Sequence, residues 1–301
     1  MGNISVNTQE LRLLLEQTPA THNIMLVGNH GIGKSEILTD FFKEKGMEVI
    51  ALFLGQMADP GDLIGLPSKD EASGKTTFMP PYWFPTDGKP IVLFLDELPE
   101  FSRDVLEVMR QPLEDRKICV ARANYKVEYP AGVMFVASMN PCPCGYYNHP
   151  TKECTCSAAA VHRYMAHISG PLMDRIDIHV EVTPVSVSEL SSTTPAERSS
   201  DIRRRVVAAR ERQRQRFEGL DIHCNAMMTS SMLRHFAPLD KACSALLERA
   251  MIHLDLSARA YDRIIKVART IADLDAKDNI EPQHISEAIG YRSLDRSSLG
   301  R

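Results

Sequence analysis

The amino-acid sequence predicts an α/β fold, in which a five-stranded parallel sheet flanked by helices is followed by a small all-helical domain. Over residues 1–183, short apolar runs alternate with helical or long connecting segments, as is typical of a parallel sheet covered on both faces. Past a segment rich in Ser, Thr and Pro, only helical periodicity remains. We therefore predict an α/β domain over residues 1–183, a linker over 184–199 and a helical domain over 200–301.

Five apolar segments qualify as the buried strands of this sheet. They are residues 23–28, 48–54, 91–95, 133–139 and 175–182. The first strand is followed by a predicted helix over residues 34–45, and the alternating residues 119–129 are typical of a β-hairpin. In the helical domain, residues 256–274 carry the strongest period of 3.6 residues, and Ser257 is the predicted N-cap residue of that helix.

The composition excludes several classes of protein. Apolar residues make up 44% and charged residues 25% of the 301 residues, as in an ordinary globular protein. The net charge of −4 excludes a generally basic nucleic-acid-binding protein but not a local basic face. No apolar run is long enough to span a membrane, and the first residues lack the pattern of a signal peptide. We therefore expect a cytoplasmic protein.

A phosphate-binding loop follows the first predicted strand. The segment matches the Walker A pattern G-x-x-x-x-G-K-[ST] at every position, with Gly28, Asn29, His30, Gly31, Ile32, Gly33, Lys34 and Ser35. Glycines let successive backbone N–H groups point at a phosphate at the start of the next helix. In this motif Lys34 reaches the β- and γ-phosphates and Ser35 binds Mg²⁺. A chance glycine-rich turn is disfavoured, because a strand precedes the segment and a helix follows it.

Two carboxylates follow the third predicted strand, in the manner of a Walker B motif. Asp96 and Glu97 come directly after residues 91–95, at the carboxyl end of a strand, where ligands bind in open α/β sheets. Asp96 is expected to hold Mg²⁺ and Glu97 to orient the attacking water. A lysine, a metal and a water-orienting group together are what phosphoryl transfer requires. The chain has no Asn-Lys-x-Asp motif for guanine, which favours ATP over GTP.

Four of the seven cysteines lie close together in the sequence. Cys142, Cys144, Cys154 and Cys156 form two C-x-C pairs. In the reducing compartment expected for a chain without a secretory signal, such a cluster indicates a metal rather than disulfides. Four thiolates can close a tetrahedral Zn²⁺ site, with His149 as a substitute ligand. The other interpretation is a loop of free, packed thiols.

Longer stretches of the chain resemble the AAA+ ATPases, in the branch that contains MoxR, the magnesium chelatase motor subunits and ComM/YifB. Residues 20–95, including FLGQMADPGDLIGLP, look like a MoxR-type ATPase. Residues 96–301, including SMNPCPCGYY, GPLMDRIDIHVEV and LSARAYDRIIKVARTIADLD, look like ComM/YifB. The resemblance covers nearly all of the chain, and its division near Asp96 suggests a hybrid of the two. We expect no counterpart of the extra N-terminal domain that ComM-like proteins carry.

The resemblance implies roles for three further residues. Asn140 matches the first sensor, which helps to position the attacking water. Arg175 matches the arginine finger, which acts on ATP in the neighbouring subunit. Arg259 matches the second sensor on the helical lid, so that ATP would lie between the sheet and the lid. A finger that acts on a neighbour implies a ring, for which a hexamer is expected.

The resemblance leaves the substrate open between two classes. A DNA motor of the ComM type, driving branch migration or helicase-like unwinding, is favoured by residues 96–301 and by the hairpin at 119–129, which can project into the pore of the ring. An ATPase of the MoxR or chelatase type would instead remodel a protein partner or aid metal insertion. A third interpretation is an ATP-binding protein with impaired turnover, if the two segments fit each other badly.

An arginine-rich segment, residues 198–216, has more than one interpretation. It holds eight arginines against Asp201 and Glu211, which gives it a net charge of +6. Such a stripe is suited to contacts with phosphates. It is equally typical of a solvated helix face or of a subunit contact in a ring.

Overall fold

The computed structural model of the chain describes residues 5–19, 22–29, 32–52, 66–69, 76–79, 91–122, 125–149, 151–183 and 197–292. His30 and Gly31 of the predicted phosphate-binding loop lie outside these residues. The predicted linker lies largely outside them as well. The proposed domain boundaries therefore stay predictions.

The five predicted strands form one parallel sheet, which confirms the predicted fold class. With one additional short strand, the described sheet has six strands. They are β1 Ser5–Val6, β2 Ile24–Gly28, β3 Glu48–Leu52, β6 Ile91–Leu95, β9 Met134–Met139 and β10 Ile178–Val182, in the order β1-β10-β2-β9-β6-β3. The two-residue strand β1 was not predicted, and it extends the sheet beyond β10. Residues 175–177 were predicted as strand, but β10 begins only at Ile178.

Shorter elements connect these strands. The helices are α1 Thr8–Gln17, α2 Lys34–Glu44, α3 Arg103–Val108, α4 Arg110–Asp115, α5 Ala158–Met165 and α6 Gly170–Met173. Two antiparallel hairpins pair β4 Leu66–Lys69 with β5 Thr76–Met79 and β7 Lys117–Arg122 with β8 Tyr125–Pro130. The second hairpin is the one that the sequence predicts over residues 119–129, and its tip residues 123–124 lie outside the described residues.

The central strands are buried on both faces, which explains their continuous apolar runs. In β6, alternate side chains serve two different clusters because successive residues of a strand point to opposite faces. Val92 and Phe94 pack in the cluster that contains Phe41 of α2. Leu93 and Leu95 pack in the cluster that contains Phe101 and the residues of α3. Helices therefore cover both faces of the sheet.

The remaining described chain is helical, as predicted. Its helices are α7 Ser199–Arg216, α8 Ser230–Phe236, α9 Lys241–His253, α10 Ala258–Leu274 and α11 Pro282–Gly290. Ser257 is the N-cap of α10, because its hydroxyl accepts a hydrogen bond from the backbone N–H of Ala260 at 3.2 Å. The apolar face of α10 predicted from the sequence packs in a separate core, with Ile264 and Ala268 fully buried.

The helical region packs against the amino-terminal edge of the sheet. Arg263 of α10 forms an ion pair with Asp177, one residue before β10. The backbone N–H of His179 donates to the carbonyl of Tyr291 at 2.9 Å, and Arg292 donates to the carbonyl of Ile176. The phosphate-binding loop follows the carboxyl end of β2 instead. Within the described residues, buried ion pairs attach the helical region at the amino-terminal edge, and the expectation that ATP lies between the sheet and the lid stays a prediction.

No helix in the described part of the chain is both long and apolar enough to cross a membrane.

Candidate functional site

Lys34 lies at the carboxyl edge of the sheet with all three of its N–H donors engaged. Its side chain is buried, and Nζ donates to the carbonyls of Gly28 at 2.8 Å and Asn29 at 2.9 Å. The third contact is with Oδ1 of Asn140 at 3.3 Å. Burial lowers the pKa of Lys34, and the charges of Asp96 and Glu97 oppose that shift. The strand order explains the contact with Asn140, because β2 and β9 are neighbours.

Two glycines of the loop are required by the local geometry. A Cβ atom at Gly28 would lie only 2.6 Å from the carbonyl oxygen of Val182 on the adjacent strand β10. Gly33 has a φ of 75°, in the left-handed region that favours glycine, and it directly precedes helix α2. The loop backbone can therefore turn sharply into the helix that starts at Lys34.

Asp96 lies beside the hydroxyl group that the motif assigns to Mg²⁺. The Ser35 hydroxyl donates to one carboxylate oxygen of Asp96, and the Ser138 hydroxyl donates to the other. Mg²⁺ prefers oxygen ligands such as hydroxyl and carboxylate groups, so the donor set fits this metal. Sequence analysis missed Ser138, although its place near the end of the fourth predicted strand is a usable signal.

Glu97 occupies an unusual backbone conformation directly after β6. Its φ of 55° is left-handed, which is uncommon for a residue other than glycine. Its backbone N–H donates to Oδ1 of Asp96 at 3.1 Å, and its side chain is exposed at the same edge as Lys34. Tyr164, which sequence analysis also missed, is buried nearby; burial raises its pKa, and the charges of Glu100 and Glu97 add to that effect. An exposed carboxylate at this edge is free to orient a water molecule.

The two predicted arginines lie together, but away from Lys34. Arg175 is 7% exposed, its Nε lies 3.1 Å from Oε2 of Glu114, and its guanidinium donates to the carbonyl of Pro171 at 2.7 Å. Arg259 is exposed and lines a groove of about 410 Å³ together with Glu114, Arg263 and Lys266. Burial lowers the pKa of Arg175, and the neighbouring charge of Arg259 adds to the shift.

The four predicted cysteines meet in space. Their Sγ atoms all lie within 4.8 Å of one another. The Sγ atom of Cys142 is 3.4 Å from that of Cys144 and 3.7 Å from that of Cys154, and the last two are 3.6 Å apart. Four sulfur atoms about 2.3 Å from a tetrahedral zinc ion are separated by about 3.8 Å. The arrangement fits Zn²⁺, and the backbone N–H of Tyr146 helps to lower the pKa of Cys144 to about 5.

His149 is not part of this cluster. Its Nδ1 accepts hydrogen bonds from the backbone N–H groups of Thr151 at 3.1 Å and Lys152 at 3.0 Å. Among the residues that the structure describes, the group that could hold a metal consists of the four cysteines. The suggestion of His149 as a substitute ligand therefore gains no support from its position.

Most of the arginine-rich segment pairs with acidic groups of the same chain. The ion pairs are Arg204–Asp201, Arg205–Glu197, Arg212–Asp278, Arg214–Glu211 and Arg216–Asp273. Only Asp201 and Glu211 of these acidic partners lie within the segment itself. The other three come from outside it, so helix α7 is much less basic than its own sequence indicates.

Two family models match the chain. One describes the ChlI subunit of magnesium chelatase and matches residues 87–190; the other describes the C-terminal part of that subunit and matches residues 196–292. The fold and the nucleotide motifs described above agree with these matches. The chain belongs to the ComM/YifB branch of the AAA+ ATPases. It is thus related to an ATPase family.

The relatives with curated sequences are longer than this chain. It is 36% identical to the uncharacterised protein YifB of Escherichia coli over 91% of this chain and 56% of the relative. It is 41% identical to the competence protein ComM of Haemophilus influenzae over 68% of this chain and 39% of the relative. The chain spans about half the length of the YifB proteins that it matches.

The YifB resemblance extends into the part of the chain that looks MoxR-like. Residues 96–301 make up about two thirds of the sequence. A match over 91% of the chain therefore includes much of residues 1–95. The two stretches distinguished in the sequence thus align with a single relative.

Proposed function

We propose that this chain is an ATP-hydrolysing AAA+ motor that forms a ring, with six subunits expected, and acts on DNA. The observation that carries the proposal is the meeting of Lys34, Ser35, Asp96 and Asn140 at the carboxyl edge of the sheet. Fold alone does not specify a reaction. A buried lysine, an oxygen site for Mg²⁺ and an exposed carboxylate at one edge are the groups that phosphoryl transfer uses.

Each group has a distinct task in this proposal. Lys34 exchanges its carbonyl partners for the β- and γ-phosphate oxygens and neutralises their charge. Ser35 and Asp96 hold Mg²⁺, which when bound stabilises negative charge on the phosphates. Glu97 orients the attacking water and accepts its proton, and Asn140, held by Lys34, fixes the position of that water.

We assign Arg175 and Arg259 to the ATP of a neighbouring subunit. Both lie near Glu114, at a groove lined by residues of the helical region, rather than beside Lys34. A residue that cannot reach the phosphates of its own chain can still reach those of the next subunit in a ring. Arg175 would then bind the γ-phosphate, whose developing charge an arginine stabilises strongly.

DNA is the proposed substrate because the β7–β8 hairpin lies on the same connection that leads from α4 into β9 and so to Asn140. One relative is named a competence protein, and we take that name as support for an action on DNA. The alternative is an ATPase that remodels a protein partner or aids metal insertion, and it is favoured by the matches to the magnesium chelatase models. The internal pairing of helix α7 also removes part of the argument for DNA.

The steady-state rate of ATP hydrolysis, with and without single-stranded and branched DNA, tests the proposal. The Glu97→Gln chain serves as the control for contaminating activity. A severalfold increase with DNA supports the DNA motor. A clear rate indifferent to DNA favours the alternative and a search for a protein partner, and a rate no higher than that of the control contradicts ATP hydrolysis.

We further propose that Cys142, Cys144, Cys154 and Cys156 hold one structural Zn²⁺. The sulfur–sulfur distances given above support this, as does the burial of Cys142. Metal analysis of protein purified without added zinc should give about one zinc per chain. Cys144→Ser should lose the metal and lower the melting temperature, whereas Cys119→Ser, a cysteine outside the cluster, should keep it. Metal-free protein whose stability is unchanged by a chelator would contradict the site.

A further inference from the structure

Arg263 joins the helical region to the segment that carries Arg175. It lies on α10 one turn after Arg259, and its side chain is 15% exposed. Its guanidinium forms a hydrogen-bonded ion pair with Asp177 and also lies 3.8 Å from Oε2 of Glu114. One arginine thus contacts two carboxylates that come from separate parts of the α/β region.

Both of these carboxylates flank Arg175. Oε2 of Glu114 is 3.1 Å from Nε of Arg175, so the two arginines share one carboxylate oxygen. Asp177 lies two residues after Arg175 and also accepts the backbone N–H of Asn23 at 2.9 Å. The side-chain amide of Asn23 in turn donates to the carbonyl of Arg175 at 3.0 Å. The backbone and the guanidinium of Arg175 are therefore held by one connected network.

We propose that Arg263 is a positioning residue for Arg175, which it orients through Asp177 and Glu114 for the ATP of the neighbouring subunit. This inference rests on the proposed role of Arg175 towards a neighbour. Arg263 itself touches no nucleotide in the proposal. Arg263 connects the helical region to Arg175 through these two carboxylates, because it lies on α10. The same helix carries Arg259 at the rim of the groove.

The energetics favour a tightly determined arrangement. Asp177 is 5% exposed, and a buried carboxylate that loses its counter-ion is strongly destabilised. Without Arg263, the segment that follows Arg175 would rearrange, and Glu114 would be left with Arg175 alone. A shift of about 1 Å in a group that acts on a transition state costs about 100-fold in rate. Loss of Arg263 should therefore lower the rate of hydrolysis as well as the stability of this contact.

The first test measures the Arg263→Gln chain alone. We expect kcat for ATP hydrolysis to fall about 10- to 100-fold, with the affinity for nucleotide unchanged because the phosphate-binding loop is intact. Arg263→Lys, which keeps the charge, should recover part of the rate. Arg249→Gln is the matched control, since this exposed arginine lies on α9, and it should behave like the unmodified chain. If the affinity of the Arg263→Gln chain for nucleotide fell by the same factor as its kcat, the proposal would be overturned.

The decisive test mixes two chains with different defects. Lys34→Ala lacks a working phosphate-binding loop but keeps the Arg175 network, whereas Arg263→Gln has the opposite defect. In mixed rings, intact loops would face intact fingers, so we expect the mixture to hydrolyse ATP severalfold faster than either chain alone. Glu114→Gln, at a half-exposed position, should complement Lys34→Ala in the same way and serves if Arg263→Gln does not fold.

Mixing Arg175→Ala with Lys34→Ala separates this inference from the proposed function. If that mixture recovers activity and the Arg263→Gln and Glu114→Gln mixtures do not, Arg263 acts only within its own chain or on stability, and the inference is overturned. If the Arg175→Ala mixture also fails to recover, the proposed role of Arg175 towards a neighbour fails, and the inference fails with it.

Discussion

The two edges of the same sheet are built in different ways. At the carboxyl edge, Lys34 contacts Asn140 and Ser35 contacts Asp96, and these residues all follow closely after a strand of the sheet. At the amino-terminal edge, the central contact joins Asp177 to Arg263, which is 86 residues away in the sequence. The comparison shows that the candidate site is set by strand ends, whereas the attachment of the helical region is set by long-range ion pairs.

The largest expected effect tests whether the amino-terminal edge also takes part in chemistry. Arg175→Ala should lower kcat about 10³-fold, because an arginine finger contributes at least that much to phosphoryl transfer. Nucleotide binding to the same chain should be unchanged, since Lys34 is untouched. Steady-state hydrolysis and titration with a fluorescent nucleotide measure the two quantities. Arg103→Ala, at an exposed arginine on α3, is the control. A loss below tenfold would confine Arg175 to a structural role.

A smaller effect on rate is expected at the carboxyl edge. Glu97→Gln should lower kcat about 100-fold or more, because the amide cannot accept a proton from the attacking water. The variant should bind ATP as tightly as the unmodified chain does. In the described residues, the hydrogen bonds of Lys34 go to Gly28, Asn29 and Asn140 and not to Glu97. Single-turnover hydrolysis and a binding titration test this. Full activity in the variant would assign the water to another group.

The ion pairs buried inside the helical region, unlike that of Arg263, should affect stability rather than rate. Asp273 is fully buried and binds both Arg216 and Arg269. Asp273→Ala would leave these arginines without their shared carboxylate, so we expect the free energy of unfolding to fall by about 3–5 kcal/mol. Chemical denaturation measures it. Glu211→Ala, which removes the exposed partner of Arg214, should leave the denaturation midpoint unchanged. If Asp273→Ala and Glu211→Ala shifted the midpoint equally, buried and exposed ion pairs would not differ in their contribution to stability.

The smallest expected effect is a pH dependence at the amino-terminal edge. Burial lowers the pKa of His22, and burial together with Arg292 lowers that of His179 well below its usual value. Because the unfolded chain takes up these protons first, stability present above about pH 6.5 is lost as the pH falls. The loss should approach about 1.4 kcal/mol per pH unit for each histidine. Denaturation between pH 7 and 5.5 measures the free energy of unfolding as a function of pH. A free energy that does not change with pH would contradict the role of the two histidines, and so would a pH dependence that His22→Gln does not reduce.

The proximity of the candidate nucleotide-site residues was largely predictable because each motif directly follows an apolar strand. Parallel strands end at one edge of the sheet, so Ser35 and Asp96 meet there although they are 61 residues apart. The four cysteines were predictable as well, since a short loop brings them together. Ser138 was missed because a hydroxyl within an apolar strand carries no motif. Residues 53–54, His30 and Gly31 lie outside the described residues, so their predictions stay untested.

The ion-pair partners of the arginines could not be predicted from the sequence. The segment 198–216 looks like a basic stripe when only Asp201 and Glu211 are counted against it. In the fold, Glu197, Asp278 and Asp273 neutralise three more of its arginines. The attachment of the helical region could not be predicted either, because a helix pattern specifies an apolar face but not the edge of the sheet against which that face packs.

By itself, the sequence predicted the five longer strands of the sheet, the helical character of the C-terminal region and the proximity of the four cysteines, since each depends on local periodicity or on residues a few positions apart. Only the tertiary structure decided which edge of the sheet receives the helical region, and with it the grouping of Arg175, Glu114 and Arg263. The physical reason is that a buried ion pair stabilises the contact between two distant segments only after both have left water. No local pattern records which carboxylate a given arginine will meet.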